Sequence, residues 1–386
     1  MQSAQQVLNR RIIWVLLGAI MCFLVLRTYL RPRWEMGFKW ESYVPGEEER
    51  RCLKFLQTTM SSNIGILTNL LDHGEIRDKA AGHQVLSESE GLMMLYAVQA
   101  GDKTLFDKHM DLVRNMILDD GVIVWRVGKQ GEYITAASAA IDDLRIIRSL
   151  LFAYDRWRDD KYKDLAHKLI RKTKKYEYTT HGLVDYYDAG AKMAASTINL
   201  SYIDLYTMDL MARIDADWKI AAERGRDVIN GGFISDTVPL YRKQYNYETK
   251  SYSQEAEINT IDYLKVILHL SEVHSVPEAP IQWIRQQIAT YGALFNRYDS
   301  GSGKPTTNLE CSANYALGCR IAANIGDEDL YEVMKEKLLS FQIIAPGSAL
   351  DGAFGDLTTK EVFSFDNLQA LLALQRSALY RQTIKH

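Results

Sequence analysis

Cysteine is scarce in this chain, with four in 386 residues, and one of them, Cys22, lies in an apolar run near the N-terminus. Cys311 and Cys319 fall eight residues apart on one expected helix, roughly 12 Å at 1.5 Å per residue, which is beyond disulfide reach. Cys52 has no obvious mate, so the small disulfide-stapled secreted class is excluded. An excess of either charge is also missing: the formal net charge is -3, and a basic footprint for nucleic acid is absent. The eight histidines are scattered without ligand spacing. HExxH, paired CxxC and Gly-x-Ser-x-Gly motifs do not occur, and Gly303-Lys304 runs into Pro305 without the upstream glycine of a phosphate loop. No metal and no cofactor is therefore expected.

Period-two alternation of any length is lacking too, which excludes an all-β fold. What is present is a succession of helical patterns at about 47–60, 64–72, 88–100, 103–118, 136–157, 160–178, 199–213, 216–229, 253–273, 278–298, 309–325, 328–340 and 365–384. Short strands are expected only at Val122–Val127 and, as a hairpin piece, Phe233–Tyr241. The helices beginning near 88, 136, 199, 253, 309 and 365 are rich in Ala, Ser and aliphatics. Those beginning near 103, 160, 216, 278 and 328 carry charges on one face. Inner helices buried all round, alternating with outer helices that keep a wet face, describe an all-α (α/α)6 barrel, or double-layered toroid.

Ile12 to Leu26 is an unbroken apolar run, flanked by Arg10 and Arg11 before it and Arg27, Arg31 and Arg33 after it. It is short for a membrane span, but Tyr29 and Leu30 extend it and flanking arginines can snorkel. No small-x-small cleavage site follows, and Met21 before Cys22 spoils a lipoprotein box. The expected organisation is a cytoplasmic stub and single-pass anchor over 1–33, a linker over 34–46 and an extracytoplasmic domain over 47–386.

The stretch Leu86 to Val98 carries the chemistry. Ser87 and Glu90 have capping-box spacing, which predicts Ser87 as N-cap with Glu90 reaching back to its amide. The apolar body Leu92, Met93, Met94, Leu95, Tyr96 and Val98 predicts a helix buried between neighbours. Glu88, which the cap leaves unused, then sits at the mouth of a buried helix. The stretch resembles the acid-bearing Val-Ser-Glu-Gly-x-Gly-Tyr-Gly-like motif of glycoside hydrolase family 8, with Glu88 on the proton donor; Ser89, Leu92 and Met93 replace the motif's Gly, Tyr and Gly. Ala136–Arg145 resembles the family's Ser-Ala-Thr-Asp-Ala-Asp-Leu-Asp-Ile-Ala segment, with Asp143 on the second aspartate; Ile141 and Asp142 replace Asp and Ala. Trp125 matches a tryptophan that stacks on sugar, and Asn199-Leu200-Ser201-Tyr202 resembles Asn-Pro-Ser-Tyr, whose tyrosine faces the cleft. The family's Tyr-Asp-Ala-x-Arg base motif falls on Gln254 to Asn259 with Ala256 at the aspartate. Glu257 is the favoured base, with Glu255 and Asp262 as alternatives. Gly352–Asp356 and Ser364–Leu368 resemble a subgroup associated with bacterial exopolysaccharide synthesis.

The resemblance implies an (α/α)6 glycoside hydrolase that cleaves a linear β-linked polysaccharide internally with inversion. Glu88 would be the acid, Glu257 the base and Asp143 a holder of the distorted sugar, with Trp125, Tyr202 and Asp142 as substrate contacts. Inversion needs carboxyl groups roughly 6.5 to 9.5 Å apart, leaving room for water. The rival expectation is a catalytically weak, polysaccharide-binding accessory of an exopolysaccharide synthase complex on the same scaffold. A toroid with lyase or epimerase chemistry, using a His or Tyr base, is the third.

Overall fold

The computed structural model describes residues 14, 34, 36–72, 74 and 80–375. The helices in chain order are α1 (Glu47–Thr58), α2 (Ser87–Ala100), α3 (Lys103–Arg114), α4 (Ala140–Trp157), α5 (Asp160–Tyr176), α6 (Leu205–Ala212), α7 (Asp217–Gly231), α8 (Thr260–Glu272), α9 (Glu278–Tyr291), α10 (Ser312–Ile325), α11 (Glu328–Leu339) and α12 (Ser364–Gln375). The even-numbered helices form a closed inner ring: α2 packs on α4, α4 on α6, α6 on α8, α8 on α10, α10 on α12, and α12 back on α2. Burial separates the layers as the composition predicts. Twelve of the 14 residues of α2 are buried, against six of the 17 in α5.

Close approach within the ring depends on small residues. A Cβ on Gly91 would lie 3.1 Å from Ile146 of α4, so glycine lets α2 and α4 meet here. Ring closure is polar as well as apolar: Ser89 and Ser364 share a hydrogen bond of 3.0 Å, and the Gln375 amide donates to the Tyr96 carbonyl at 3.2 Å. At mid-ring the Arg148 guanidinium donates to Glu272 and Asp204, and Asn324 donates to Ser271.

Short antiparallel strands gather before the inner helices. They are β1 (Val85–Leu86) with β2 (Arg126–Val127), β3 (Tyr187–Asp188) with β4 (Met193–Ala194), β5 (Thr197–Asn199) with β6 (Gln244–Asn246) and β7 (Ser251–Tyr252), and β8 (Glu257–Asn259) with β9 (Arg297–Asp299). Because they precede α2, α6 and α8, these pairs pin the N-terminal ends of inner helices at one mouth of the ring.

Several expectations are corrected. Residues 64–72 form no helix; Ile66, Leu67 and Asn69 make isolated β-bridges, and Thr68 bonds with Gln84. The helix expected from 253 begins at Thr260, because 257–259 pair as β8 and Asn259 caps α8 through the Asp262 amide. Val122–Val127 is strand only at Arg126–Val127, and Phe233–Tyr241 is a single bridge. Most of the stub and anchor lies outside the described residues. Among the described residues no helix is long and apolar enough to cross a membrane.

The segment expected as a linker docks on the barrel. The buried Asp155 carboxylate, near the C-terminal end of α4, accepts from the amides of Met36, Gly37 and Phe38 and from the Trp40 indole at 2.7 to 3.2 Å. Phe38 and Trp40 meet Phe152 edge-on, and Arg156 lies over the Trp40 ring. A buried carboxylate with four donors is strongly tied, since losing it strands those donors. Asp155→Ala is therefore expected to lower unfolding free energy by about 2 kcal/mol or more and to expose 36–43 to limited proteolysis; unchanged urea unfolding and protease resistance would contradict the strap.

Candidate active site

A groove of about 780 Å³ opens at the mouth where the inner helices begin. Glu88, in the first turn of α2, lies half-buried in its wall, with Trp125, Asp142, Asp185, Asn199 and Tyr202 around it. The backbone explains the placement. Pairing of β1 with β2 brings the Ser87 amide to the Trp125 carbonyl at 3.0 Å, which fixes both the start of α2 and the loop carrying the tryptophan.

The capping box does not form. Leu86 is the N-cap and makes no side-chain cap. Ser87 Oγ instead donates to Asp142 Oδ2 at 2.8 Å, and Glu90 accepts from the Ile66 amide at 2.8 Å and pairs with His109 at 2.6 Å. Ser87 is thus a link between α2 and α4 across the groove floor, and Asp142 is braced on its other oxygen by Arg145 at 2.8 Å.

Burial raises the Glu88 carboxyl above its ordinary range, and the neighbouring Asp142 and Asp262 carboxylates push the same way against Lys265 and Arg145. The helix N-terminus favours the ionised form, but desolvation and the acidic neighbours win. Lys265, buried on α8, sits 5.2 Å from the Tyr202 ring centre. The Tyr202 hydroxyl is raised well above its usual value by burial, then by Asp142 and Glu88. Asp262, in the first turn of α8, receives a long hydrogen bond of 3.4 Å from Ser201.

The structure brings Glu88, Asp142, Trp125 and Tyr202 into one groove. Asp143 is elsewhere: one residue along α4 points it away, into a small buried space beside Ser138, Lys172 and Glu177. There burial first, then Glu177 and Asp142, raise it well above the carboxylate range, and the two side chains share a hydrogen bond. Glu257 is also elsewhere. It lies on β8 rather than on the first turn of α8, is exposed, and pairs with Arg297 at 3.1 Å. Hydrogen bonds from Thr306 and Arg297 hold its carboxyl below the usual range. Asp366 ties two inner helices together by accepting from Ser312 Oγ and the Ala313 amide, both at 3.0 Å.

Sequence reasoning passed over Arg145, Lys265 and Asp185. The first two were detectable as charges inside otherwise apolar helix patterns. Asp185 accepts from Thr197, Asn199 and Gln244, fixing the groove wall built by β5 and β6. Asp204, His269 and Glu272 also cluster, with ligand atoms within 4.8 Å of one another. Arg148 donates to both carboxylates and, against the upward push of burial, holds Glu272 far below its ordinary range. With Arg320 3.9 Å from Glu272, two cations offset the two carboxylates, which makes the cluster an internal brace rather than a cation trap.

The Asp143–Glu177 pair gives a stability signature. Burial raises Glu177 to about 7, while hydrogen bonds from Ser138 and Asp143 oppose the rise. A raised acid binds more protons folded than unfolded, so stability falls as pH climbs from the ordinary carboxylate range through about 7. Glu177→Gln is expected to flatten that fall in pH-dependent urea unfolding; a slope equal to wild type would contradict proton sharing.

Comparisons with known proteins agree with this geometry. The profile of "Glycosyl hydrolases family 8" matches residues 68–240, which includes Glu88 and Asp142 but ends before α8. A solved structure titled "a novel alpha-amylase from Clostridium perfringens" is 39% identical with a TM-score of 0.80, over 85% of this chain and 97% of that one. "Putative lipoprotein YdaJ" of Bacillus subtilis (strain 168) is 26% identical over 290 residues, 75% of this chain and 78% of its own. The endo-beta-1,4-glucanase CMCax from Acetobacter xylinum shares the fold, with a TM-score of 0.63 and 18% identity over 88% of this chain and 100% of that one. A closed six-helix inner ring, an acid at the groove mouth and these similarities lead to one assignment: the chain is a glycoside hydrolase that belongs to family 8.

Proposed function

We propose that this chain cleaves a linear glucan internally, by an inverting mechanism in which Glu88 is the acid and Asp262 the base. The observation that carries the reading is the Glu88 carboxyl, raised above its ordinary range in the groove wall and within the electrostatic reach of Asp262. Glu88 donates its proton to the leaving glycosidic oxygen as that bond breaks. Asp262 takes a proton from water, whose oxygen attacks the anomeric carbon from the opposite face. Asp142 accepts from sugar hydroxyls near the cleavage point, Trp125 offers an apolar face to a ring, and Tyr202 lies beneath. Arg145 and Lys265 offset the crowding of carboxylates. Asp262 takes the place of Glu257 in this scheme because it stands on an inner helix, whereas the Glu257 carboxylate is committed to Arg297.

The linkage has two readings. A β-linked chain follows from the family resemblance, and the 18% likeness to an endo-beta-1,4-glucanase carries the fold alone. An α-linked glucan is favoured by 39% identity to a protein titled an alpha-amylase along nearly its whole length. Anchoring and an outward-facing domain are supported by the arginine-flanked apolar run 12–26. Asp142 and Asp155 are thirteen residues apart on α4, about 20 Å along the axis, so the docked strap lies toward the end of the ring opposite the groove. A tether there leaves the groove open away from the membrane, accessible to an exopolysaccharide or its synthase complex.

Incubating the protein with amylose and with a β-1,4-glucan, and following the anomer first released by NMR, tests the reading. Internal cleavage of either glucan with inversion supports it, and amylose is the expected substrate; retention, or no cleavage of both, overturns it. Glu88→Gln and Asp262→Asn are each expected to lose about 10²-fold or more in kcat, while Glu257→Gln keeps turnover. Wild-type activity in either of the first two would remove that residue from the scheme. Because a raised acid is needed in its protonated form, activity should fall as pH rises through the Glu88 titration, above the ordinary glutamate range. The same desolvated acid destabilises the fold when ionised, so Glu88→Gln should melt higher than wild type near pH 7 and lose that advantage near pH 4. An equal gap at both pH values would contradict this.

A further inference from the structure

Three inner helices open on one pattern. The first six residues of α4, α8 and α12 read Ala-Ile-Asp-Asp-Leu-Arg, Thr-Ile-Asp-Tyr-Leu-Lys and Ser-Phe-Asp-Asn-Leu-Gln, and a further leucine follows in each at Leu150, Leu270 and Leu374. The aspartate at the third position, Asp142, Asp262 or Asp366, has the same kind of partner each time. Asp142 accepts from Ser87 Oγ at 2.8 Å, Asp262 from Ser201 Oγ at 3.4 Å and Asp366 from Ser312 Oγ at 3.0 Å. The serines are buried and lie 55, 61 and 54 positions upstream of their aspartates. Ser87 and Ser312 are the first residues of α2 and α10, and Ser201 lies in the turn Leu200–Tyr202 just before α6. The ring is thus three like units, α2 with α4, α6 with α8 and α10 with α12, each clasped by a serine and an aspartate where its helices begin. The residues that follow the serines are Glu88, Tyr202 and Ala313, so two of three equivalent positions supply the groove.

The clasps differ in what else the carboxylate holds. Asp142 is engaged on its second oxygen by Arg145 at 2.8 Å, and Asp366 takes a second donor, the Ala313 amide, at 3.0 Å. Asp262 is half-buried, and among the described residues only Ser201 donates to its carboxylate. An ionised carboxylate offers about four acceptor positions, so Asp262 is the least committed of the three and keeps lone pairs for a water. We infer that Ser201 is a positioning residue for hydrolysis that aims the Asp262 carboxylate, that Ser87 aims Asp142 in the same way, and that Ser312, in the third unit, serves ring closure alone. The inference rests on the groove reading above. It adds how the acids of the mouth are aimed, and why Asp262 is free to take a proton while the equivalent Asp366 is not. A reacting group displaced by about 1 Å can cost about 10²-fold in rate, which is why one buried hydroxyl matters to a base held by nothing else.

Steady-state kinetics of the full chain on amylose and on a β-1,4-glucan, with serine replaced by alanine in each unit, tests the assignment. Ser201→Ala is expected to lower kcat about tenfold while KM changes less than about twofold, the mark of an interaction used in the transition state. In an Asp262→Asn background the same substitution should cost less than about twofold, because the serine acts through that carboxylate. Ser87→Ala should lower kcat/KM about tenfold, through KM as well as kcat, since Asp142 meets the sugar before the bond breaks. Ser312→Ala should unfold at lower urea concentration with kcat and KM within about twofold of wild type. Should Ser201→Ala fail to fold, Ser201→Thr and Ser201→Val have nearly the same shape and differ in the donor: the first keeps most of kcat and the second loses it. Unchanged kcat in Ser201→Ala, an equal loss with and without Asp262→Asn, or the same kcat loss from Ser312→Ala would each overturn the positioning role and leave the groove reading standing. A wild-type chain that cleaves neither glucan overturns the groove reading, and the role with it.

Discussion

The contact of α12 with α2 closes the ring, and the rest of the architecture depends on that closure. A helix that is apolar nearly all round has no stable place at a surface, so α2 needs α12 on one side and α4 on the other. Closure removes the bodies of six helices from water and leaves polar side chains at their N-terminal ends to line the mouth. The groove is thus a consequence of the packing. Acids at the mouth come from three inner helices, Glu88 from α2, Asp142 from α4 and Asp262 from α8, and the first two line the groove.

Electrostatics divides the buried charges into two classes. Deep in the ring, Arg148 donates to Glu272 and Asp204, and Arg320 lies 3.9 Å from Glu272, so two cations face two carboxylates. At the mouth, the Asp142 and Asp262 carboxylates face the Lys265 and Arg145 cations around Glu88, and burial tips the balance, raising its carboxyl above the ordinary range. A helix N-terminus alone would work against a proton donor. Partial burial beside Asp142 and Asp262 reverses the sign.

Much of the ring was legible in the sequence, because the alternation of apolar and half-charged helices reports directly on which layer each helix occupies. Glu88 was legible because the capping argument left it without a local role, although the capping box itself is absent. Ser87 and Glu90 found tertiary partners in Asp142 and His109 that no local spacing reveals. The roles of Asp142 and Asp143 hinged on one residue of helical phase, about 100° of rotation, which a degenerate motif does not resolve. The position of Glu257 was hidden for a different reason. An apolar helix pattern does not announce that its first residues pair with a distant strand, and β8 needs β9, some 40 residues away, to form. Asp155 was illegible for the same reason: its donors lie more than 110 positions upstream.

The central claim is that Glu88 and Asp262 stand on either side of one scissile bond. A crystal structure of the Glu88→Gln protein with a bound linear gluco-oligosaccharide tests it most directly. The account predicts a glycosidic oxygen within hydrogen-bonding distance of the residue 88 amide and a water held between Asp262 and the opposite face of the same sugar. A chain seated away from residue 88, or one whose anomeric carbon turns its open face to a different carboxylate, would contradict it.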